Sequence, residues 1–251
     1  MLSLLPIALL SLLAGAANSI AGGGTLLTFP ALIGLGIPPL IANATSTVAL
    51  LPGSLSSMAG YRDALRGARP WIIAFVVPSV IGGALGAWLL VVTPERRFES
   101  IVPYLVLGAT LLFLGQRPVL AAIRRRRVGS VRAASPTAVF VAAQFLVAIY
   151  GGYFGAAAGI VMLGTLGLMG LTDIHQMNGL KNWAAVCFNG VAATTFILAG
   201  MVNWPVALVM AAGASVGGWT ASRLAQRVKQ EQVRVLVGAI GLAAAAWLFL
   251  R

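Results

Sequence analysis

The stretch at residues 15–30, GAANSIAGGGTLLTFP, decides the fold, because three consecutive glycines interrupt an apolar segment in its middle. Each of Gly22, Gly23 and Gly24 costs a helix interior roughly 1 kcal/mol relative to alanine. Broken backbone at membrane depth is tolerated where it is buried in protein or lines a polar cavity. The stretch therefore predicts a broken helix beside a cavity.

A second break of the same kind, GGYFGAAAGIVMLGTL at residues 151–166, lies 136 positions after the first. At this offset seven of the 21 positions from 15 to 35 are identical, which indicates duplication. The identical residues are, in the first half, Gly15, Ala21, Gly23, Leu27, Leu32, Gly34 and Leu35. Two interrupted hydrophobic segments at corresponding places in two halves are the best sequence indication of a transporter's binding site.

The composition predicts a membrane protein that crosses the bilayer several times. Of the 251 residues, 59% are hydrophobic and only 9% are charged, too few charges to cover a soluble surface. The net charge of +12 comes from basic residues between apolar spans, without stacking aromatics or a binding motif. We expect these residues to contact lipid headgroups and to orient the chain, and we expect no nucleic-acid partner. Cys187 is the only cysteine, which excludes an internal disulfide and a cysteine-based metal site.

Glycine, proline and charged residues divide the chain into about eight hydrophobic helical segments, with a broken or re-entrant helix in each half. We assign residues 1–115 to a first transmembrane repeat, 116–135 to a basic cytoplasmic linker and 136–251 to a second transmembrane repeat. Residues 1–17 lack the positive start of a signal peptide, so we interpret them as the first membrane helix. The fold class expected is therefore an all-α polytopic membrane protein with two repeats.

The distribution of positive charge favours inverted repeats. If each half crossed the membrane four times, Lys and Arg would divide only 10 to 6 between the two sides. If each half crosses three times, the loop at 62–69, the linker and the loop at 223–234 share one side and hold 13 of the 17, against three on the other. The apolar piece at 25–35 would span about 16 Å, half of a hydrocarbon core of about 30 Å. We expect inversion, with both termini outside the cytoplasm.

Candidate substrate-binding residues lie at the breaks and in the helix after each break, which we expect to face the break of its own half. Lys181 is the most informative, because a cation in a membrane span costs at least about 2.5 kcal/mol and usually marks a substrate or ion path. The alternative is a lysine that snorkels to the interface from a helix end. The asparagines would donate hydrogen bonds to an oxyanion, or only to neighbouring helices. Helix N-termini at the breaks would add N–H groups and a positive dipole end. The set is Asn18, Gly22, Gly23, Gly24, Asn43, Thr45, Gly155, Gly159, Asn178, Lys181 and Asn182, with Asn189 as a further possible donor.

Other chemistry has little support in the sequence. His175, Asp63 and Asp173 are typical of loop residues near span ends, and the five acidic residues form no buried carboxylate relay. There are no paired intramembrane carboxylates, no His/Glu metal motif and no nucleophile–base pair, so we expect no catalytic residues, metal or cofactor. No P-loop sequence is present, so ATP binding is not expected.

The combined pattern resembles the TauE/SafE family of sulfite exporters and related permeases. The residues that carry the resemblance are AGGGTLLTFPALIGLGIPPLIANATS at 21–46 and GGYFGAAAGIVMLGTLGLMGLTDIHQMNGLKN at 151–182. The resemblance implies a secondary transporter that moves a small, often sulfur-containing anion, such as sulfite or an organosulfonate, across the cytoplasmic membrane. The partners expected are this anion, membrane lipids and a coupling proton or ion. An anion channel of the same architecture, a membrane-embedded enzyme and a non-transporting scaffold stay open as alternatives.

Overall fold

The computed structural model describes residues 4–126, 136–224 and 230–250, with the backbone alone at 4, 116–126 and 230–234. Every regular element in these ranges is a helix, which confirms the all-α prediction. These ranges contain ten helices, whereas about eight helical segments were predicted, because each broken segment makes two. They are α1 (Leu4–Ile20), α2 (Gly24–Gly34), α3 (Pro39–Gly60), α4 (Arg69–Val92), α5 (Glu95–Arg126), α6 (Ala138–Tyr153), α7 (Ala158–Leu168), α8 (Ile174–Leu198), α9 (Trp204–Arg223) and α10 (Gln230–Leu250).

The two helix breaks form at residues with a left-handed backbone. Gly22, between α1 and α2, has a φ of 81°. Between α6 and α7 two residues adopt this conformation, Gly155 with a φ of 77° and Ala157 with a φ of 63°. Glycine enters this region without steric cost, whereas a residue with a Cβ loses roughly 1–2 kcal/mol there. Both breaks therefore follow from local sequence, although the second includes one strained alanine.

The halves α1–α5 and α6–α10 interlock. α1 and α3 of the first half pack on α9 of the second, and in the equivalent arrangement α6 and α8 pack on α4. Two pairs of equivalent helices, α3 with α8 and α5 with α10, also pack on each other. Each half thus completes the core of the other, and the two share a long common interface.

The equivalent helices α3 and α8 run antiparallel. Tyr61, at the end of α3, has its ring centroid 6.3 Å from that of His175 at the start of α8. At the opposite end, the hydroxyl of Thr45 near the start of α3 accepts a 3.0 Å hydrogen bond from the backbone N–H of Asn203, which follows α8. The two helices are therefore paired head to tail.

The equivalent helices α5 and α10 are antiparallel as well. The rings of Tyr104 and Phe249 lie 5.0 Å apart near one end of the pair. Further along, Thr110 lies against Gly241. A repeat axis in the membrane plane reverses equivalent crossing helices, whereas an axis along the membrane normal would leave them parallel. The antiparallel pairs confirm that the repeats are inverted. The assignment of each loop to the cytoplasmic or the opposite side of the membrane stays a prediction.

Two helical stretches of the described residues are long and apolar enough to cross a membrane, Arg69–Val92 and Glu95–Gly115. The helices α3 and α8 are 22 and 25 residues long but carry many polar side chains. The helix α2 has 11 residues, as predicted for a half-membrane piece. The helix α5 continues to Arg126, so it includes the first part of the predicted linker, while residues 127–135 lie outside the described ranges.

Glycines allow the closest contacts between the interlocked halves. Gly82 and Gly86 of α4 lie against the backbone of α6, and Gly213 and Gly217 of α9 lie against the backbone of α1. The glycines of each pair are four residues apart and share one helix face, and glycine lets two helix backbones approach closely. Their equivalent placement in the two halves means that both major crossings depend on the same feature.

Candidate substrate site

A small cavity lies where the two helix breaks meet. Gly22 of the first break and Gly159 of the second are in backbone contact, since a Cβ at Gly22 would lie 3.2 Å from the Gly159 Cα. The cavity has a volume of about 30 Å³, which is enough to hold at least one water molecule. Its lining residues are Asn18, Gly22, Thr25, Thr47, Leu50, Gly155, Ala158, Gly159, Lys181, Asn182, Ala185, Phe188 and Asn189. In this conformation the cavity suits only a ligand of a few heavy atoms.

Two helix N-termini meet at this cavity, one from each half. Thr25 and Gly159 are the second residues of α2 and α7, and both line the cavity. Backbone N–H groups in the first turn of a helix have few partners within the helix, and the helix dipole is positive there. The N–H groups of Leu26 and Ile160 donate to the carbonyls of Gly23 and Ala157, whereas those of Thr25 and Gly159 have no backbone acceptor among the described residues. The residues that precede the two helices, Gly23 and Ala157, provide no side-chain cap. This end of each helix is therefore suited to a negatively charged ligand.

Lys181 is buried in the centre of the molecule, with 2% of its surface exposed. Its ammonium donates to the backbone carbonyl of Asn18 at 2.8 Å and to that of Ser19 at 3.0 Å. Its stem runs beside Gly159, where an added Cβ would lie 2.9 Å from the lysine Cδ. These contacts exclude the alternative of a lysine that snorkels to the interface.

The lysine ammonium has one donor left for a ligand. It carries three N–H groups, and the described residues accept bonds from two of them. Among these residues the lysine forms no ion pair, and no carboxylate lines the cavity. The cavity is therefore bordered by the lysine amine and two positive helix ends, and no acidic side chain lines it.

The side chains of α3 and α8 contact the break of their own half, as expected, and also that of the opposite half. Within the halves, the hydroxyls of Thr28 and Ser46 share a 2.6 Å hydrogen bond between α2 and α3, and Gly151 of α6 lies against the ring of Phe188 of α8. The ammonium of Lys181 reaches the end of α1, and the amide of Asn43 donates to the carbonyl of Tyr153 at the end of α6, at 2.9 Å. The interlocking of the halves is the reason, since it places each of these helices between both breaks. The stem of Lys181 contacts the break of its own half as well, at Gly159.

Six of the eleven predicted site residues line the cavity: Asn18, Gly22, Gly155, Gly159, Lys181 and Asn182. Asn189, the further possible donor, lines it as well. Asn18 uses its amide Nδ2 to donate to the Ser54 hydroxyl at 3.3 Å. Asn182 places its Nδ2 3.5 Å from the Ser19 carbonyl, and its Oδ1 is buried without a partner in the described part of the chain. Both halves thus contribute to one site.

The other five predicted residues lie outside the cavity. Gly23 packs on Phe113 of α5, and Gly24 packs on the end of α1. Asn43 and Thr45 use their side chains in the contacts between halves that are described above. Asn178 is buried, with an Oδ1 that has no partner among the described residues, but it does not line the cavity. The structure therefore does not bring these five together with Lys181.

Several lining residues were not predicted, although helical periodicity could have identified them. Ala185 and Phe188 follow Lys181 at i+4 and i+7, so they share its face of α8. Thr47 and Leu50 follow Asn43 on α3 at the same spacing. Thr25 is the second residue of α2, where its position at the break was the available signal.

The charged loop residues have local roles. Asp173 caps α8 by accepting a 2.8 Å hydrogen bond from the backbone N–H of His175. Asp63 pairs with Arg66 at 3.3 Å on the surface. A larger cleft of about 460 Å³ lies between the α2–α3 loop, α5 and α10, but Glu95 and Glu99 line it. Their carboxylates disfavour an anion, so the central cavity is the candidate site.

Comparison with known proteins gives one family and several relatives. Residues 7–248 match the family described as Sulfite exporter TauE/SafE. The probable membrane transporter protein ORF9 of Sinorhizobium sp is 30% identical over 239 residues, which cover 93% of this chain and 87% of the relative. The probable membrane transporter protein YfcA of Escherichia coli strain K12 is 30% identical over 234 residues, 90% of this chain and 82% of the relative. A probable membrane transporter protein of Haemophilus influenzae is 27% identical over 229 residues, 88% and 84% of the two chains.

Proposed function

Because the chain belongs to the sulfite exporter TauE/SafE family, we propose that it is a secondary transporter for a small anion. It is an integral membrane protein of inverted repeats, and it is related to proteins named as probable membrane transporters. The proposed substrate is a sulfur oxyanion, such as sulfite or an organosulfonate, and the proposed location is the cytoplasmic membrane. A site between two inverted halves is the arrangement in which alternating access operates.

The observation that carries this proposal is the convergence of positive groups on one cavity. The remaining N–H of Lys181 and the first turns of α2 and α7 border the same space, together with asparagine amides. Hydrogen bonds from a cation to an oxyanion are roughly twice as strong as neutral ones, and helix N-termini bind anions. An oxyanion with three oxygens can accept hydrogen bonds from Lys181 and from the first turns of α2 and α7 at the same time.

Replacing Lys181 with glutamine is expected to weaken anion binding by roughly ten- to a hundredfold, the value of one charge-assisted hydrogen bond of about 1.5–3 kcal/mol. We also expect a lower melting temperature, because two buried carbonyls lose the ammonium that they accept from. Affinity would be measured on purified protein by calorimetry, after a panel of sulfite, sulfate, thiosulfate, sulfonates and carboxylates has identified the anion that raises the melting temperature most.

The matched control is Lys181→Arg, which keeps the charge and should recover part of the affinity, although a planar guanidinium replaces the compact ammonium. Wild-type affinity in an intact Lys181→Gln protein would remove the lysine from the anion site. Flux that does not saturate with anion concentration would instead favour a channel.

Topology provides a second test of the proposal. Reporter fusions in the loop at 62–69 and in the linker at 116–135 are expected to report the cytoplasm, and a fusion after Arg251 the opposite side. The reason is the excess of Lys and Arg on one side of the inverted arrangement. A C-terminal fusion that reports the cytoplasm would contradict the proposed orientation without affecting the anion site.

A further inference from the structure

The end of α1 presents buried carbonyl oxygens at the centre of the molecule. α1 stops at Ile20, and carbonyls in the last turn of a helix have no N–H from a following turn. The helix dipole places partial negative charge on this end. The carbonyl of Asn18 accepts a 3.2 Å bond from the N–H of Gly22, whereas the structure gives the carbonyl of Ser19 only side-chain donors. The broken helix thus ends in carbonyl oxygens that carry partial negative charge.

The group that satisfies these carbonyls is the ammonium of Lys181, at 2.8 and 3.0 Å. No carboxylate in the described part of the chain pairs with this lysine, so backbone oxygens alone stabilise its charge on this side. In transporters with broken helices, helix C-terminal ends and unwound carbonyls are the groups that coordinate monovalent cations. We propose that the C-terminal end of α1 is a monovalent-cation site, which this chain fills with its own lysine in place of a free ion.

The surroundings of the ammonium are suited to a free cation if the lysine is removed. The amide of Asn182 lies beside the Ser19 carbonyl, and its Oδ1 is buried without a partner in the described residues, so a further oxygen is available. The lysine stem borders the cavity and runs along Gly159. Shortening this side chain would therefore join the cavity to the carbonyls and open a path for a small cation. The inference concerns α1 and α8 only and holds whatever the transporter carries.

The experiment is rescue of Lys181→Ala by a free amine, with the melting temperature of purified protein as the readout. The alanine variant is expected to melt below wild type, and methylammonium, which reproduces the tip of the lysine, should raise its melting temperature by roughly 3–5 °C. A protein of this size is expected to gain this much when the ligand concentration is ten times the dissociation constant. Ammonium, sodium and potassium are tested in parallel, and tetramethylammonium, which has no N–H group, controls for ionic strength. Wild type should respond to none of them, because its site is filled.

The matched control is Lys181→Met, which removes the charge but fills the space of the lysine stem, so that no room opens for methylammonium. It should melt below wild type and show no rescue. If Lys181→Ala is folded and methylammonium raises its melting temperature no more than tetramethylammonium does, the proposal is wrong. It is equally wrong if the methionine variant or wild type gains as much. Should the alanine variant aggregate in plain buffer, extraction and purification in methylammonium is expected to yield folded protein, and failure there also contradicts the proposal.

Discussion

Replacing Gly86 with leucine is expected to prevent folding or to lower the melting temperature by roughly 10 °C or more. A Cβ at this position would overlap the carbonyl of Ile149 and lie 2.8 Å from the backbone nitrogen of Tyr153, both of α6. Overpacking a core typically costs about 1–3 kcal/mol, and more where the obstacle is backbone that cannot change rotamer. A protein of this size loses roughly 2–4 °C for each kcal/mol. The measurement is the yield of monodisperse protein in detergent, followed by its melting temperature.

The control for this prediction is Gly108→Leu in α5. No heavy atom lies within 4 Å of a Cβ built there, and leucine is a better helix former than glycine by roughly 1 kcal/mol. We expect this variant to melt at or slightly above the wild-type temperature. Gly217→Leu should behave like Gly86→Leu, because a Cβ there would overlap the carbonyl of Leu12 in the equivalent crossing. A Gly86→Leu protein as stable as Gly108→Leu would mean that α4 and α6 separate at little cost.

The sequence predicted those features that local chemistry determines. The glycine runs located both breaks, because left-handed backbone is inexpensive only for glycine and is needed where a helix ends abruptly. The charge distribution and the length of 25–35 predicted inversion, since both reflect the membrane rather than side-chain packing. A lysine in an apolar segment indicated the cavity, because an ionisable side chain within a membrane span is costly and usually lines a substrate or ion path.

The partners of these residues could not be predicted, because they depend on how the halves interlock. The contact of Lys181 with α1 joins residues 163 positions apart, and no periodicity encodes such a contact. Without this contact, the sequence gives no indication that the lysine has a structural role. The sequence also could not separate the three glycines of the first break. Gly22 faces the cavity, whereas Gly23 and Gly24 pack on neighbouring helices.

Replacing Gly22 with leucine is expected to abolish transport while membrane insertion continues. The left-handed backbone at this residue makes any side chain unfavourable by roughly 1–2 kcal/mol. In addition, the new Cβ would lie 3.2–3.4 Å from the backbone of Gly159 and Ile160, so the two breaks would have to separate. The rest of the side chain would compete for a cavity of only about 30 Å³. The measurement is anion flux into proteoliposomes at matched amounts of reconstituted protein.

Gly36→Leu separates the effect of backbone strain from the effect on the site. Gly36 has the same φ of 81°, but no heavy atom lies within 4 Å of a Cβ built there. Both variants therefore carry the same conformational cost, and only Gly22→Leu brings a side chain between the breaks. We expect Gly36→Leu to retain most of its flux, with at most a modest loss of stability. Undiminished flux in both variants would mean that contact between the breaks is unnecessary for transport. An equal loss of flux in both variants would assign the effect to backbone strain. Only loss confined to Gly22→Leu places the transported anion at the meeting point of the two breaks.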